Sequence, residues 1–218
     1  MRPEVDPFLA DISRVALTVA GRHGFALGGG NALLLHGVVD RPTVDVDLFT
    51  DREEAVRAAA DAVVEALTDA GFTVAEVPVE TDLGDVIPGL DDFIIEIDVS
   101  HGDRAARLSL SGQSRARTPI TMEVGPVMHL DDLIAWKVAA IINRREVRDY
   151  IDTAAFLADH ETADLIAMAR RVDPGLEDDD VVMVGRVLDR TPDEAFARYG
   201  LTGDAVTALR ARFAAWPG

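Results

Sequence analysis

The chain has 218 residues, with 21 basic against 39 acidic side chains for a formal net charge of −18, 48% apolar content and no cysteine. That apolar content is enough for a sizeable core in one domain or two intimate lobes, which excludes disordered and collagen-like chains. The missing cysteines exclude disulfides, thiolate zinc sites, iron–sulfur clusters and cysteine nucleophiles.

Asp6-Pro7 has the form of a helix cap followed by a first-turn proline, and Phe8, Ile12, Val15 and Val19 recur at helical spacing until Gly21 and Gly24. Phe25-Ala26-Leu27 reads as a short buried strand that runs into Gly28-Gly29-Gly30. Asn31 to His36 reads as a short apolar helix closed by Gly37. Thr43 to Phe49 alternates polar and apolar residues with the period of a strand, which sends Val44, Val46 and Leu48 to a core and Asp45 and Asp47 to the opposite face. Arg52 to Ala70 is an Ala-rich amphipathic helix ended by Gly71. Phe72 to Val79 and Phe93 to Val99 read as strands, as do Ala105 to Leu110 and Ile120 to Val124. After Gly125-Pro126 the pattern turns helical: Asp131 to Arg145, Val147 to Ala158, Thr162 to Val172, Asp178 to Leu188, Asp193 to Tyr199 and Gly203 to Ala215. The expected fold class is therefore α/β (α+β), a mixed αβαβ lobe over residues 1–125 followed by a helical lobe over 126–218.

No stretch approaches the roughly 18 to 20 apolar residues of a membrane span. The amino terminus lacks a basic region followed by an apolar one, so a cytoplasmic protein without a membrane partner is the default expectation. The acidity argues against a chain that coats DNA, because phosphate neutralisation by basic side chains supplies most non-specific affinity. Charge is nonetheless segregated: Arg104, Arg107, Arg115 and Arg117 occur in a stretch without acidic residues, and Arg144, Arg145 and Arg148 follow later. These are either solvated faces or a track for an anionic substrate.

Two features carry chemistry. Glycines between a buried strand and a helix let the backbone approach an anion while the helix terminus directs N–H groups at it, although the same cluster also suits an ordinary tight turn. Asp45 and Asp47 leave one face of their strand, so their like charges repel unless a cation lies between them; paired carboxylate oxygens are ligands that Mg²⁺ accepts. A solvent-facing strand edge is the other reading of that pair. Asp98, with Glu96 on the same face as its rival, is a candidate third carboxylate. Lys137 is the only lysine of the chain and falls in the apolar run Leu133 to Ile142, where a buried ammonium needs an anionic partner; Asp152 or a triphosphate would serve. Asp149 and Asp152 share a helical face, and Arg145–Asp149 and Arg148–Asp152 have the spacing of ion pairs along a helix. The five histidines show no metal-binding spacing, and the serines lie in no nucleophile elbow.

A strand, two glycines, a short helix and then an acidic strand together resemble the minimal nucleotidyltransferase fold. The fuller string Gly29-Gly30-Asn31-Ala32-Leu33, then Arg41-Pro42-Thr43-Val44-Asp45-Val46-Asp47-Leu48, resembles the AbiEii/MenT family of nucleotidyltransferase toxins from type IV toxin–antitoxin and abortive-infection systems. Asp132 to Ala140 around Lys137, followed by Arg148-Asp149-Tyr150-Ile151-Asp152, resembles that family's lysine motif and its R-D-x-x-D helix. Asn31 stands where the family usually has Ser or Thr, and Trp136 where a Glu often precedes the lysine.

The resemblance implies a Mg²⁺-dependent transferase whose helical lobe completes the active site. Asp45, Asp47, Lys137 and Asp152 would be catalytic, with Asp45, Asp47 and Asp98 as metal ligands. Gly29, Gly30, Asn31, Lys137 and Arg148 would hold an NTP, pyrimidine nucleotides included. It further implies the 3′ end of tRNA as acceptor, a block of aminoacylation and translation, and a cognate antitoxin. Thr43, two residues before Asp45, is a candidate site for regulatory phosphorylation. The alternatives are transfer to a small polycation such as an aminoglycoside, transfer to a protein side chain, or a non-catalytic binding partner with the same fold; the acidic composition suits a cationic acceptor better than tRNA.

Overall fold

The structure is a computed structural model and describes residues 5–78 and 93–218. It divides into two compact units: Met1–His36 with Thr43–His129, and Gly37–Pro42 with Leu130–Gly218.

In the first unit, α1 (Pro7–Ala20) starts as its sequence dictates: the Asp6 side chain caps it by accepting from the Phe8 N–H at 2.8 Å, and Pro7 fills a position that needs no donor. A 3-10 turn over Gly21–His23 ends at Gly24, whose positive φ of 82° closes it. The chain continues through β1 (Ala26–Leu27), α2 (Gly29–Leu35) and β2 (Asp45–Thr50). A further 3-10 turn at Glu53–Ala55 leads into α3 (Val56–Asp69), followed by β3 (Thr73–Val77), β4 (Ile94–His101), β5 (Arg104–Gly112), β6 (Ile120–Met122) and β7 (Gly125–Val127). The expected strand end at Val79 lies outside the described residues.

The seven strands form one mixed sheet in the order β3-β4-β5-β2-β1-β7-β6. β2 lies near its centre, parallel to β5 and antiparallel to β1. One sheet face packs on α1 and α3 through Ile12, Ala16, Val63 and Leu67 against Val46, Leu48, Ile97, Leu108 and Leu110, all fully buried. Each such aliphatic side chain contributes about 1.5–3 kcal/mol of burial, so the register of β2 is firmly set. Val44 corrects the expectation: it is 69% exposed, because pairing begins only at Asp45 and the residue before it has no neighbouring strand to pack it inward. The short β7 was not foreseen, since Gly125-Pro126 reads as a break. Its Val127 pairs with Leu27 on one side and Ile120 on the other, and Gly125, at φ +120°, lies close to Leu17.

The second unit contains α4 (Leu130–Arg144), α5 (Val147–Phe156), α6 (Thr162–Val172), α7 (Asp178–Arg190), α8 (Glu194–Ala197) and α9 (Asp204–Arg212), ending in a 3-10 turn at Phe213–Ala215. α4 buries Leu133, Ile134, Val138, Ile141 and Ile142. Tyr150 of α5 meets the Phe213 ring edge-on at 5.6 Å, and Phe213 in turn contacts Trp216 at 5.4 Å. Tyr150 Oη donates to the Val184 carbonyl (2.9 Å) and Trp216 Nε1 to that of Val181 (2.8 Å), so both aromatic handles are spent on α7. The segment Gly37–Pro42 belongs to this unit by its packing, with Val39 and Arg41 buried. No helix among the described residues is long and apolar enough to cross a membrane.

Tyr150→Phe removes the hydroxyl that donates to the Val184 carbonyl. It should cost about 1 kcal/mol and lower Tm by about 2–4 °C, read by thermal and urea denaturation.

Candidate functional site

In the first unit the glycine turn and the acidic strand meet. Gly28 N–H donates to the Asp47 carbonyl at 2.8 Å, joining the end of β1 to β2. A side chain at Gly28 would lie 2.3 Å from the Phe49 ring. Gly29 has φ +60°, and a Cβ there would lie 1.8 Å from Asp47 Oδ2, so only glycine permits the carboxylate to rest against this backbone. Gly29 and Gly30 are the first two residues of α2 rather than a loop before it.

Asn31, the third residue of α2, is buried. Its Nδ2 donates to the Asp45 carbonyl at 2.7 Å, and its Oδ1 accepts a hydrogen bond from the Thr43 hydroxyl. The side chain thus clamps the entry to β2, with both ends of the amide engaged by the chain that leads into the strand carrying the carboxylates.

Asp45 and Asp47 are half-buried and alternate with the wholly buried Val46 and Leu48. Across β5 and β4 the register places Asp45 in line with Arg107 and Asp98, and Asp47 in line with Ser109 and Glu96. Asp98 is thus two strands from Asp45, where its Oδ1 accepts from Arg107 Nε at 2.7 Å, and Glu96 pairs with the same guanidinium. The strand between Asp98 and Asp45 offers Arg107 as the partner of Asp98. No cluster of three His, Asp or Glu side chains able to hold a metal occurs among the described residues. Two half-buried carboxylates on one strand face fit Mg²⁺, which binds through one or two protein carboxylates and takes its other oxygens from water and phosphate.

In the second unit, α4 and α5 supply a buried ionic cluster. The carboxylates of Asp149 and Asp152 are fully buried. Arg41 Nε and Nη2 each donate to one Asp152 oxygen at 2.7 Å, and Lys137 Nζ lies 3.0 Å from Asp152 Oδ2 and 3.9 Å from Asp149 Oδ1. Arg144 binds Asp149 through Nε (2.8 Å) and Nη2 (3.0 Å). Burial alone would push the Asp152 carboxyl up, but the charges and hydrogen bonds of Lys137 and Arg41 outweigh it and hold the group below its ordinary range.

The pairs expected from spacing along α5 do not form. Arg145 lies at the end of α4 with a positive φ of 56° and donates to Asp180 (2.7 Å), while Arg148 Nε pairs with Glu146 at 2.8 Å. Arg41 has no signal in local spacing, since its partner is 111 residues away. In the earlier arginine-rich stretch, Arg104 binds Asp6 (2.6 Å) and Arg115 binds Asp51 (2.7 Å), which favours paired faces over an open anionic track.

The chain belongs to the AbiEii nucleotidyl transferase toxin family of type IV toxin–antitoxin systems, whose model matches residues 12–198. Among solved structures it is similar to MenT4, a nucleotidyltransferase toxin from Mycobacterium tuberculosis, with a TM-score of 0.59 and 18% identity over 95% of this chain and 82% of that one. It is also similar to a presumptive nucleotidyltransferase from Helicobacter pylori (TM-score 0.57, 15% identity, 94% of this chain and 91% of that one). A third match is JHP933 from Helicobacter pylori (TM-score 0.55, 14% identity, 96% and 91%). At these identities the likeness is one of fold. No curated protein sequence matches the chain.

Because the Asp152 carboxyl is depressed on folding, its contribution to stability is complete above the unfolded value near 3.8 and is lost as pH falls through the lower folded value. Asp152→Asn leaves Arg41 buried without its counter-charge and should cost about 3 kcal/mol or more at neutral pH. That gap from the wild type should narrow on acidification below about pH 4, as followed by urea melts.

Proposed function

We propose that the protein transfers a nucleotide from an NTP, pyrimidine nucleotides included, to the 3′ end of tRNA, and that this blocks aminoacylation and so arrests translation. The observation that carries the reading is the Asp47 carboxylate resting on the Gly29 backbone, which brings a cation-binding pair and a close-approach turn to one spot. Asp45 and Asp47 would hold Mg²⁺, which when bound neutralises the triphosphate and aligns the attacking hydroxyl for in-line displacement of pyrophosphate. The α2 terminus at Gly29 and Gly30 receives phosphate oxygens on its N–H groups, and Lys137 adds a compact point charge to the triphosphate. Asp152 holds the lysine in place. Asp98, paired with Arg107, and Arg148, beside Glu146, are the further candidates for this set.

Family membership supports a cognate antitoxin as partner. Thr43 suits a control point on that same strand: its hydroxyl is the donor to Asn31, and a phosphate there would remove the donor and set negative charge two residues from Asp45. Thr43→Glu should therefore lower transferase activity at least tenfold, and further than Thr43→Val, which removes the donor without adding charge, compared by initial rates.

The net charge of −18 and the pairing of Arg104, Arg107 and Arg115 favour one second reading, transfer to a cationic acceptor such as an aminoglycoside or to a protein side chain. Incubation with Mg²⁺, each labelled NTP in turn, and total tRNA, an aminoglycoside or the protein alone separates these. Label is expected on tRNA and should vanish in Asp47→Ala. Label confined to antibiotic or protein would replace the tRNA reading, and no label with any acceptor would leave a binding protein of the same fold.

A further inference from the structure

β2 sends three side chains to the face opposite its core contacts: Asp45, Asp47 and then Phe49, all half-buried, while Val46, Leu48 and Thr50 alternate with them into the interior. Phe49 therefore carries an aromatic ring on the side of the strand that holds the carboxylates, away from the apolar core against α1 and α3. The ring leans back toward the glycine turn. A Cβ at Gly28 would lie 2.3 Å from Cδ2 and 2.5 Å from Cε2 of Phe49, so the ring rests on the Gly28 backbone, one residue before the contact of Asp47 with Gly29. Register places Ser111 of β5 beside Phe49, and Ile94 of β4 beside Ser111, on this same face. Ile94 is 46% exposed. The face thus changes character along the strands: its rows through Asp45 and Asp47 are polar and charged, whereas the next row sets a phenyl ring and an aliphatic side chain on either side of one hydroxyl.

We propose that Phe49 is the stacking platform for the base of the nucleotide, with Ser111 and Ile94 beside it. This deepens the reading of Asp45, Asp47 and the glycine turn as the triphosphate site, and rests on it. Phe49 follows Asp47 by two residues, about 7 Å along the strand, a separation that the ribose of a nucleotide bridges between phosphate and base. A part-exposed phenyl ring offers an apolar face to a nucleobase, and such stacking tolerates every base because each has a π-face. The Ser111 hydroxyl can donate to or accept from a base edge. A mostly apolar wall with a few placed polar groups is the usual make-up of a small-molecule site. Glycine at position 28 serves the same device, since a side chain there would displace the ring.

Calorimetry of the full chain with Mg²⁺ separates the base from the phosphates. The probes are inorganic tripolyphosphate and the four nucleoside triphosphates with a methylene group between the α- and β-phosphorus atoms, which bind without turnover. The wild type should bind the nucleotides more tightly than tripolyphosphate. Phe49→Leu, which keeps an apolar side chain on Gly28 and removes the flat ring, should weaken all four nucleotides by about tenfold and leave tripolyphosphate within about twofold. Phe49→Tyr should stay within about threefold of the wild type for every probe. In turnover, the KM of Phe49→Leu for NTP should rise more than its kcat falls. If Phe49→Leu does not fold, Phe49→Met, unbranched and able to fill the same space, takes its place.

A folded variant without the ring that binds the nucleotides as the wild type does would overturn the proposal. Equal losses for nucleotide and tripolyphosphate would also overturn it, since they would mark a structural role at the glycine turn. A loss confined to the KM of the acceptor would assign the ring to the acceptor's terminal base instead and overturn its assignment to the NTP. A wild type that binds tripolyphosphate as tightly as the nucleotides overturns the base platform alone, whereas one that binds neither overturns the triphosphate reading beneath it.

Discussion

The approach of the Asp47 carboxylate to the Gly29 backbone is the constraint on which the first unit's site depends. A side chain at Gly29 would occupy the place of Oδ2, and the residue already adopts a positive φ that L side chains avoid. Around that contact the neighbouring choices become intelligible. Gly28 leaves room for the Phe49 ring and ties its N–H to the carbonyl of Asp47, while Asn31 reaches back to the carbonyl of Asp45. The two acidic residues are thus fixed through their main chain by the glycine turn and by Asn31.

The second unit solves a different electrostatic problem by the same economy of means. Two fully buried carboxylates are tolerated because each meets a guanidinium in fork geometry, the arrangement that best repays desolvation. Membership of a nucleotidyltransferase toxin family gives these groups a chemical context in which a polyanionic substrate is expected. Seen in that context, the conspicuous lysine is one member of a five-group assembly whose other cations are arginines.

Much of the fold was legible because local signals agreed with one another. The Asp6-Pro7 cap, the alternation through Asp45 to Leu48 and the amphipathic pattern of α3 each rest on residues within a turn or two of one another. The glycine cluster and the acidic strand could be placed side by side from the order of elements, although the close approach of Asp47 to Gly29 could not. What escaped reading depends on partners distant in sequence. Val127 completes a strand only because Leu27 and Ile120 flank it, and Gly-Pro ahead of it signals the opposite. Arg148 and Arg145 stood at helical spacing from Asp152 and Asp149, yet the positive φ at Arg145 ends α4 and redirects that side chain to Asp180. Val44 obeyed the alternation of β2 in sequence but precedes the first paired residue, so nothing covers it.

The segment Gly37–Pro42 packs with residues that begin only at Leu130, although it interrupts the first unit in sequence. The polypeptide therefore passes from one unit to the other three times, after His36, after Pro42 and after His129. No single cut yields either unit whole. A fragment ending at residue 129 would keep every strand of the sheet and yet expose Val39 and leave the Arg41 guanidinium without its carboxylate. Dissecting this protein into autonomous pieces thus calls for rebuilding the connection between His36 and Thr43 along with the cut, and recombination between relatives would have to exchange that short excursion together with the helices it serves.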